Sequence, residues 1–256
     1  MPGFDEYSRS YRFLKLERRD GILQMTAHTD GGPLQWGLEP QAEFARAFAE
    51  VGADRENRLI ILTGTGNEFS GPRLDPAATF FHGARLTPSG VHQVFWNAQR
   101  LVHSLLDIEV PIIAAVNGPA MRHADLALMS DIVIAADDVT FEDTAHFANG
   151  SIAPGDGINV IYTLLMGLNR ARYLMLTGQV LGATEAKELG LVAELMPREK
   201  LLPRAWDLAR QLAKKSDMLL RYTRKVLTHP LRRAIDDGMQ FNLAMEALST
   251  LDRGQQ

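Results

Sequence analysis

EVPIIAAVNGPAMRHADLALMSD, residues 109–131, decides how the rest of the chain reads. Its apolar run, Val110–Val116, meets the turn pair Asn117-Gly118 and then Pro119, and the ionisable residues Arg122, His123 and Asp125 follow at once. An apolar helical stretch closes it at Ser130-Asp131. The pattern is a buried strand that delivers a polar loop to the start of a helix. Such a junction gathers backbone N–H groups and the positive end of a helix, which suits an anionic ligand or transition state. An ordinary strand–helix connection has the same pattern, so the chemistry must be sought along the whole chain.

On the N-terminal side, Tyr11–Arg19 and Ile22–His28 read as two strands around the turn Arg19-Asp20-Gly21. A loop carrying Trp36 follows, and Pro40 opens an amphipathic helix over Gln41–Val51. Arg58–Leu62 is a short β-rich run that feeds the glycine turn Thr63-Gly64-Thr65-Gly66. Residues 67–88 form a long irregular segment, and a helix from about Ser89 to Asp107 leads into the central strand. On the C-terminal side, strands at Asp131–Ala135 and Val139–Phe141 open into a second polar cluster, Glu142-Asp143-Thr144-Ala145-His146. Pro154-Gly155-Asp156-Gly157 starts another helix, and helices at Arg170–Leu176 and Ala183–Leu189 lead to a strand at Leu191–Glu194. Helices over Glu199–Lys215, Met218–Leu227 and Pro230–Thr250 complete the chain. Strand and helix alternate to Glu194 and only helices follow, which predicts an α/β core over 1–194 with a helical C-terminal region over 195–256.

The 256 residues, 46% of them hydrophobic, suffice for one large core. A net charge of −4 and no long Lys/Arg block argue against a nucleic-acid partner, and no apolar run approaches the roughly 20 residues a membrane span needs. Without cysteine there is no disulfide or thiolate chemistry, and with no N-terminal apolar signal region the expected location is cytoplasmic. The glycine turn at 63–66 fits neither a Walker loop nor GxGxxG in its βαβ setting, and the seven histidines include no HExxH. No cofactor and no metal are therefore expected.

Ionisable residues at predicted strand and helix ends remain. His123, five residues past the Asn117-Gly118 turn, is either a solvated loop histidine or a site residue, and His146 stands in the same position. Asp156, between two glycines at a helix start, either caps the helix or, paired with His146, orients an imidazole that takes a proton from water. Glu246, in the apolar stretch NLAMEALST, is costly on a buried face unless it is paired or functional. Trp36 either packs or offers its indole N–H to a carbonyl. Arg100 and Arg122 read as surface or intersubunit residues, and the basic run Arg221–Arg233 reads as a solvated helix face.

Four stretches resemble the crotonase (enoyl-CoA hydratase/isomerase) superfamily over almost the whole chain. They are RLIILTGTGNEFSGPRLD, VPIIAAVNGPAMRHADLALMSDIVIAADDVTFED, RYLMLTGQVLGATEAKELGLVAELMP and the helical tail. The resemblance implies a spiral core of ββα units, a C-terminal helical region that mediates trimerisation, and homotrimers that often pair into hexamers. Most members bind acyl-CoA and hold the thioester oxygen with two backbone N–H groups. This chain departs at both of the segments that supply them. Members usually follow the first strand with a small residue and then xGxD, whereas here the text is Phe69-Ser70-Gly71-Pro72-Arg73-Leu74-Asp75, in which Pro72 has no N–H to donate. Asn117-Gly118-Pro119-Ala120-Met121-Arg122-His123-Ala124 replaces the usual NGxAxGGG, and the two acidic residues of hydratases are not evident at their usual places.

Within the superfamily the chain is most similar to the CoA-independent, 6-oxocamphor hydrolase-like β-diketone hydrolases, which cleave a carbon–carbon bond of a cyclic 1,3-diketone. The similarity rests on HTxGxxLxW, NGPxxxH, HFxxGxxPGDG and MEAL in the late helix. It implies retro-Claisen hydrolysis to a keto acid, with Trp36 and His123 binding a substrate carbonyl. His146 and Asp156 are implied as the water-activating and proton-transfer pair, with Glu246 a further carboxylate of the pocket. Gln41 stands where the relatives have a histidine and can donate to a carbonyl without titrating. A CoA-dependent hydratase or isomerase is the alternative.

Overall fold

The computed structural model describes residues 3–71 and 87–253. After a single turn, α1 (Phe4–Tyr7), strands β1 (Leu14–Arg19) and β2 (Ile22–Ala27) pair antiparallel. Asp20 and Gly21 both take positive φ, +51° and +77°, the twist that a two-residue hairpin demands. Helix α2 (Leu38–Ala53) returns the chain to β3 (Leu59–Gly64), and α3 (Pro88–Asp107) returns it to β4 (Ile112–Val116). The short α4 (Asp125–Leu128) precedes β5 (Ile132–Ala136). Beyond it come β6 (Thr140–Phe141), α5 (Phe147–Gly150), α6 (Ile158–Met166), α7 (Leu168–Thr177), β7 (Leu181–Gly182), α8 (Ala183–Glu188), β8 (Glu194–Met196), α9 (Arg198–Leu212) and α10 (Asp217–Arg253).

The main sheet runs β1-β2-β3-β4-β5-β8, parallel after the first pair. Every residue of β4 and all but the last of β3 are buried, which explains their unbroken apolar runs: strands covered on both faces need no alternation. Each pass through this sheet is followed by a short extended piece, and these pieces pair with one another. Gln35 bridges Gly71, Ser70 bridges Ala120, Ala120 bridges Phe141, and β6 pairs with β7. The chain therefore winds as the ββα spiral expected, with a C-terminal helical region packed on it.

Three expectations need correction. The strand sought at Leu191–Glu194 is β8, three residues later: Leu191 and Val192 are buried beside α8, and pairing with β5 begins only where the Ala193 N–H meets the Val133 carbonyl at 2.8 Å. The boundary placed after residue 194 consequently falls inside a strand of the sheet.

The two helices expected on either side of Pro230 are one 37-residue helix. Proline removes the bond to the carbonyl four residues back, Val226, and that residue is 71% exposed, so water can replace the lost donor. On both sides of the proline the helix is clamped to the body, by Arg221 and Arg224 before it and by the buried Ile235 and Met239 after it.

Those two arginines are the third correction, because the basic run is not wholly a solvated face. Arg224 is buried. It pairs with Asp131 at 2.8 Å and donates to the carbonyls of Leu105, Leu106 and Ile108 at the C-terminal end of α3, where a helix leaves acceptors unfilled. Arg221 donates to the carbonyls of Arg55 and Asn57.

Candidate active site

Two polar residues bring the ends of β3 and β4 together. Asn117 accepts from the Gly64 N–H at 2.9 Å and donates to the carbonyls of Gly66 and Glu68 at 3.0 and 2.9 Å. The Ser70 carbonyl accepts from the amides of Met121 (2.9 Å) and Arg122 (3.3 Å), while its hydroxyl donates to the Arg122 carbonyl. The segments 69–71 and 120–122 are thus bound to each other and to their neighbours. Phe69 and Ser70 donate to the Pro119 carbonyl, Gly71 to Leu34 and Ala120 to Thr140, so the six amides of these stretches all have protein acceptors. Pro72, the residue that breaks the usual pattern, lies outside the described residues.

Side chains fill the space beyond them. His123 stands at φ +49°, an unfavourable region for a side chain bearing a Cβ, so its neighbours must hold it there. Its ring lies against buried Trp36, centroid to centroid 4.4 Å, and Trp36 packs edge-on against Phe44 of α2. Among the described residues the buried Trp36 indole N–H has no hydrogen-bond partner. On its Nδ1 side His123 faces the wholly buried Asp125 at 3.3 Å and Asp156 at 3.8 Å. Among the described residues neither Asp125 oxygen is hydrogen-bonded elsewhere.

Asp156 Oδ2 sits between two imidazoles, 3.8 Å from His123 Nδ1 and 3.8 Å from His146 Nε2. His146 Nε2 is also 3.9 Å from Oε1 of Glu246, which α10 carries into the cluster. Gly155 permits this approach: a Cβ there would lie 2.4 Å from the Asn242 carbonyl and 2.6 Å from Glu246 Oε2. The other face of the ring is closed by Asp143, whose two oxygens accept from His146 Nδ1 at 2.9 and 3.1 Å.

These contacts set the charges. Burial alone would push His146 down. The charges of Asp143 and Asp156, the Asp143 hydrogen bond and the Glu246 charge outweigh it and raise the imidazole to about 10. Burial would push Asp143 up, but the charge and hydrogen bond of His146, with the amides of Ala145 and His146, hold it below the ordinary carboxylate range. Burial and then the Asp156 charge raise Glu246 to about 8 against the pull of His146. Asp125 is likewise raised by burial, with His123 opposing. At neutral pH the cluster therefore holds a charged imidazole beside a neutral Glu246.

Trp36, His123, His146, Asp156 and Glu246 converge, as the sequence suggested. Gln41 is buried in the first turn of α2. The N-cap of α6 is Gly157 rather than Asp156, but the Asp156 side chain accepts from the first helical amide, Ile158 N–H, at 3.3 Å and faces both histidines as well. Three expectations change. The carboxylate that orients His146 is Asp143, because Asp156 lies on the opposite ring nitrogen beyond hydrogen-bond distance. And a ring raised to about 10 is a donor in the resting protein and no base near neutrality. Arg122, expected at the surface or between subunits, is buried within the chain with its guanidinium 3.4 Å from the Thr144 carbonyl, and burial lowers it against the charges of Asp143 and Asp156. Arg100 is exposed and stacks on Trp96. Among the described residues no group of His, Asp and Glu is arranged to hold a metal ion, and no helix is long and apolar enough to cross a membrane.

Comparison with known proteins places this geometry. A family model for enoyl-CoA hydratase/isomerase matches residues 36–252. "Probable enoyl-CoA hydratase echA12" of Mycobacterium tuberculosis is 31% identical over 212 residues, 82% of this chain and 74% of its own length. Among solved structures, a β-diketone hydrolase from the cyanobacterium Anabaena, bound to (S)-3-oxocyclohexyl acetic acid, is 38% identical. It matches with a TM-score of 0.91 over 96% of this chain and 97% of that one. An enoyl-CoA hydratase/isomerase from Mycobacterium paratuberculosis matches with a TM-score of 0.84 over 93% and 94% of the two chains, but at 22% identity it speaks for the fold alone.

Proposed function

The chain belongs to the crotonase (enoyl-CoA hydratase/isomerase) superfamily of enzymes, and we propose that within it this protein is a β-diketone hydrolase, opening a cyclic 1,3-diketone by retro-Claisen cleavage to a keto acid. One observation carries the reading: five side chains, Trp36, His123, His146, Asp156 and Glu246, converge at the place where the amides of 69–71 and 120–122 are already committed. Oxygens bound here would be held by side chains. The keto acid in the Anabaena structure fits the same class, since a ring ketone with a carboxymethyl arm is what opening a bicyclic 1,3-diketone produces.

The reaction adds water across one carbon–carbon bond. Water attacks one carbonyl carbon, the bond to the central carbon breaks, and its electron pair becomes the enolate of the other carbonyl. A proton then returns to that central carbon. Asp156, between the two imidazoles, is the group placed to accept the water proton and hand it to carbon. Charged His146 presents Nε2–H to one developing oxyanion, while Trp36 Nε1–H and His123 serve the other carbonyl. Each well-placed donor of this kind is worth about 3–4 kcal/mol in the transition state. Gln41 is kept as a further substrate contact, and neutral Glu246 as a second acid beside Nε2. With a symmetric bicyclic diketone, the choice of which of the two equivalent carbonyls is attacked makes the product chiral.

A second reading, a CoA-dependent enoyl-CoA hydratase or isomerase, is the one the family model and the names of the sequence relatives favour. One screen separates the two: mono- and bicyclic 1,3-diketones beside crotonyl-CoA, following diketone absorbance and keto-acid formation, with calorimetry for acyl-CoA binding. Diketone turnover without saturable CoA binding is expected. Crotonyl-CoA hydration with no diketone turnover would replace the first reading by the second.

The protein is further proposed to assemble as a homotrimer or a dimer of trimers through the region beyond residue 195 and its neighbours. Leu164, Leu168, Tyr173 and Leu176 on α6 and α7, and Phe241 and Leu248 on α10, are exposed apolar side chains, the material from which an interaction surface is made where they lie side by side. Light scattering would decide it; a monomer at micromolar concentration would defeat it.

A further inference from the structure

We propose, resting on the hydrolase reading above, that Asp143 is the positioning residue of this site: it holds the Nδ1 proton of His146 and leaves Nε2 as the ring atom that meets substrate. The reading of the residues offered this task to Asp156, and the geometry gives it to Asp143, with Asp156 on the other nitrogen. Asp143 reaches Nδ1 at 2.9 and 3.1 Å; Asp156 and Glu246 face Nε2 at 3.8 and 3.9 Å.

The local chain is built to keep Asp143 in place. Its Oδ1 also accepts from the amides of Ala145 (3.1 Å) and His146 (3.3 Å), and its own carbonyl accepts from the Asn149 side chain at 2.8 Å. The His146 carbonyl in turn accepts from the amides of Asn149 and Gly150, closing the turn from the other end. Asp143 has its carboxylate buried and both oxygens engaged on Nδ1, so it acts only through His146.

An ionised carboxylate accepts and cannot donate, so Nδ1 keeps its proton in every state of the cycle. Any proton His146 gives or takes passes through Nε2, where the reacting oxygens would lie. The same contact supplies much of the charge that keeps the ring an imidazolium in the resting protein, with Asp156 and Glu246 adding to it. The other groups bearing on the pair are Arg122, whose charge favours ionised Asp143, and Tyr162 of α6, whose hydroxyl is raised by burial and by the charge of Asp143.

Histidine NMR on the substrate-free protein, with the His146 resonances assigned by their loss in His146→Gln, tests this directly. Wild type is expected to show a protonated Nδ1 and a ring still charged at pH 8. In Asp143→Asn the ring should titrate about one to three pH units lower, the effect of removing an opposite charge at this range. Kinetics with the diketone substrate should show kcat reduced about 100-fold with KM changed far less, and partial recovery in Asp143→Glu. An unaltered His146 titration in a folded Asp143→Asn, or unchanged kcat, overturns the proposal. So does a wild-type His146 that is neutral at pH 7 or unprotonated at Nδ1, which decides the matter if the variant does not fold. The titration needs no substrate, so a wild type that cleaves no diketone sinks the hydrolase reading while the Asp143 assignment is still judged by NMR.

Discussion

Replacing Glu246 by glutamine should make the protein less sensitive to alkaline pH, and the size of the effect follows from the site. Glu246 is buried on α10 with Asp156 nearby, and the folded state raises its carboxyl from 4.5 to about 8. The folded value is the higher one, so the stabilisation belongs to the protonated form. It is whole below 4.5 and is lost as the pH climbs through 8. At about 1.4 kcal/mol per pH unit, ionising the group fully costs the fold roughly 5 kcal/mol, most of it incurred between pH 5 and pH 8. His146 recovers part, because ionised Glu246 also favours the imidazolium, and protons of coupled groups are shared. Glutamine keeps the shape and cannot ionise. Wild type and Glu246→Gln should therefore be nearly equal in stability at pH 5, with the variant ahead by about 2–4 kcal/mol at pH 8.5. Urea unfolding followed by tryptophan fluorescence, at one protein concentration and four pH values, measures the difference. Parallel stability curves, or a wild type that gains on the variant as the pH rises, would show that Glu246 is ionised in the fold and that no neutral acid stands beside His146.

Three further outcomes follow from the same geometry. Asp156→Asn should fold normally and lose most of kcat, because the amide can neither take up the water proton nor return it to carbon; near-normal turnover of a diketone would remove Asp156 from the mechanism. Trp36→Phe keeps the stacking on His123 and Phe44 but deletes the unpartnered indole N–H, and should lower kcat by about 10²- to 10³-fold with little change in melting temperature. A loss of stability without loss of rate would make Trp36 a packing residue. Gly155→Ala places a methyl against the Asn242 carbonyl and Glu246, and should cost about 1–3 kcal/mol in unfolding experiments; a neutral effect would mean that α10 can yield at this point.

The spiral was legible because its signals are local. Continuous apolar runs marked β3 and β4 as strands covered on both faces, and Asp20-Gly21 marked the hairpin. Pro40 and Pro88 stand in the first turns of α2 and α3. The misread places are those where distant parts of the chain settle the outcome. Nothing near Pro230 says that Arg224, six residues earlier, will fill the open carbonyls at the end of α3 and hold the helix straight through. Arg221 and Arg224 look like surface charge in a basic run, since the acceptors that make their burial tolerable lie more than a hundred residues away.

The candidate site was legible to the same degree and for the same reason. Residue types and loop positions pointed to His123, His146, Asp156 and Glu246, but which carboxylate meets which ring nitrogen is a property of the folded chain. Asp143 offered one local clue, its place three residues before His146 in a polar turn. A carboxylate at that spacing can accept from the following amides and from Nδ1 at once, and here it does. Asp125 offered none, for a carboxylate at the start of a four-residue helix reads as a cap, yet it is wholly buried and faces His123. The consequence is chemical. A carboxylate on Nδ1 fixes both the orientation and the charge of His146, so the ring that looked like a base in the sequence stands in the fold as a donor. In the proposed reaction the proton-accepting step then falls to a carboxylate on the Nε2 side. Asp156 is the carboxylate there that faces both imidazoles at once, which is why its amide variant should be the more damaging of the two acidic substitutions on that side.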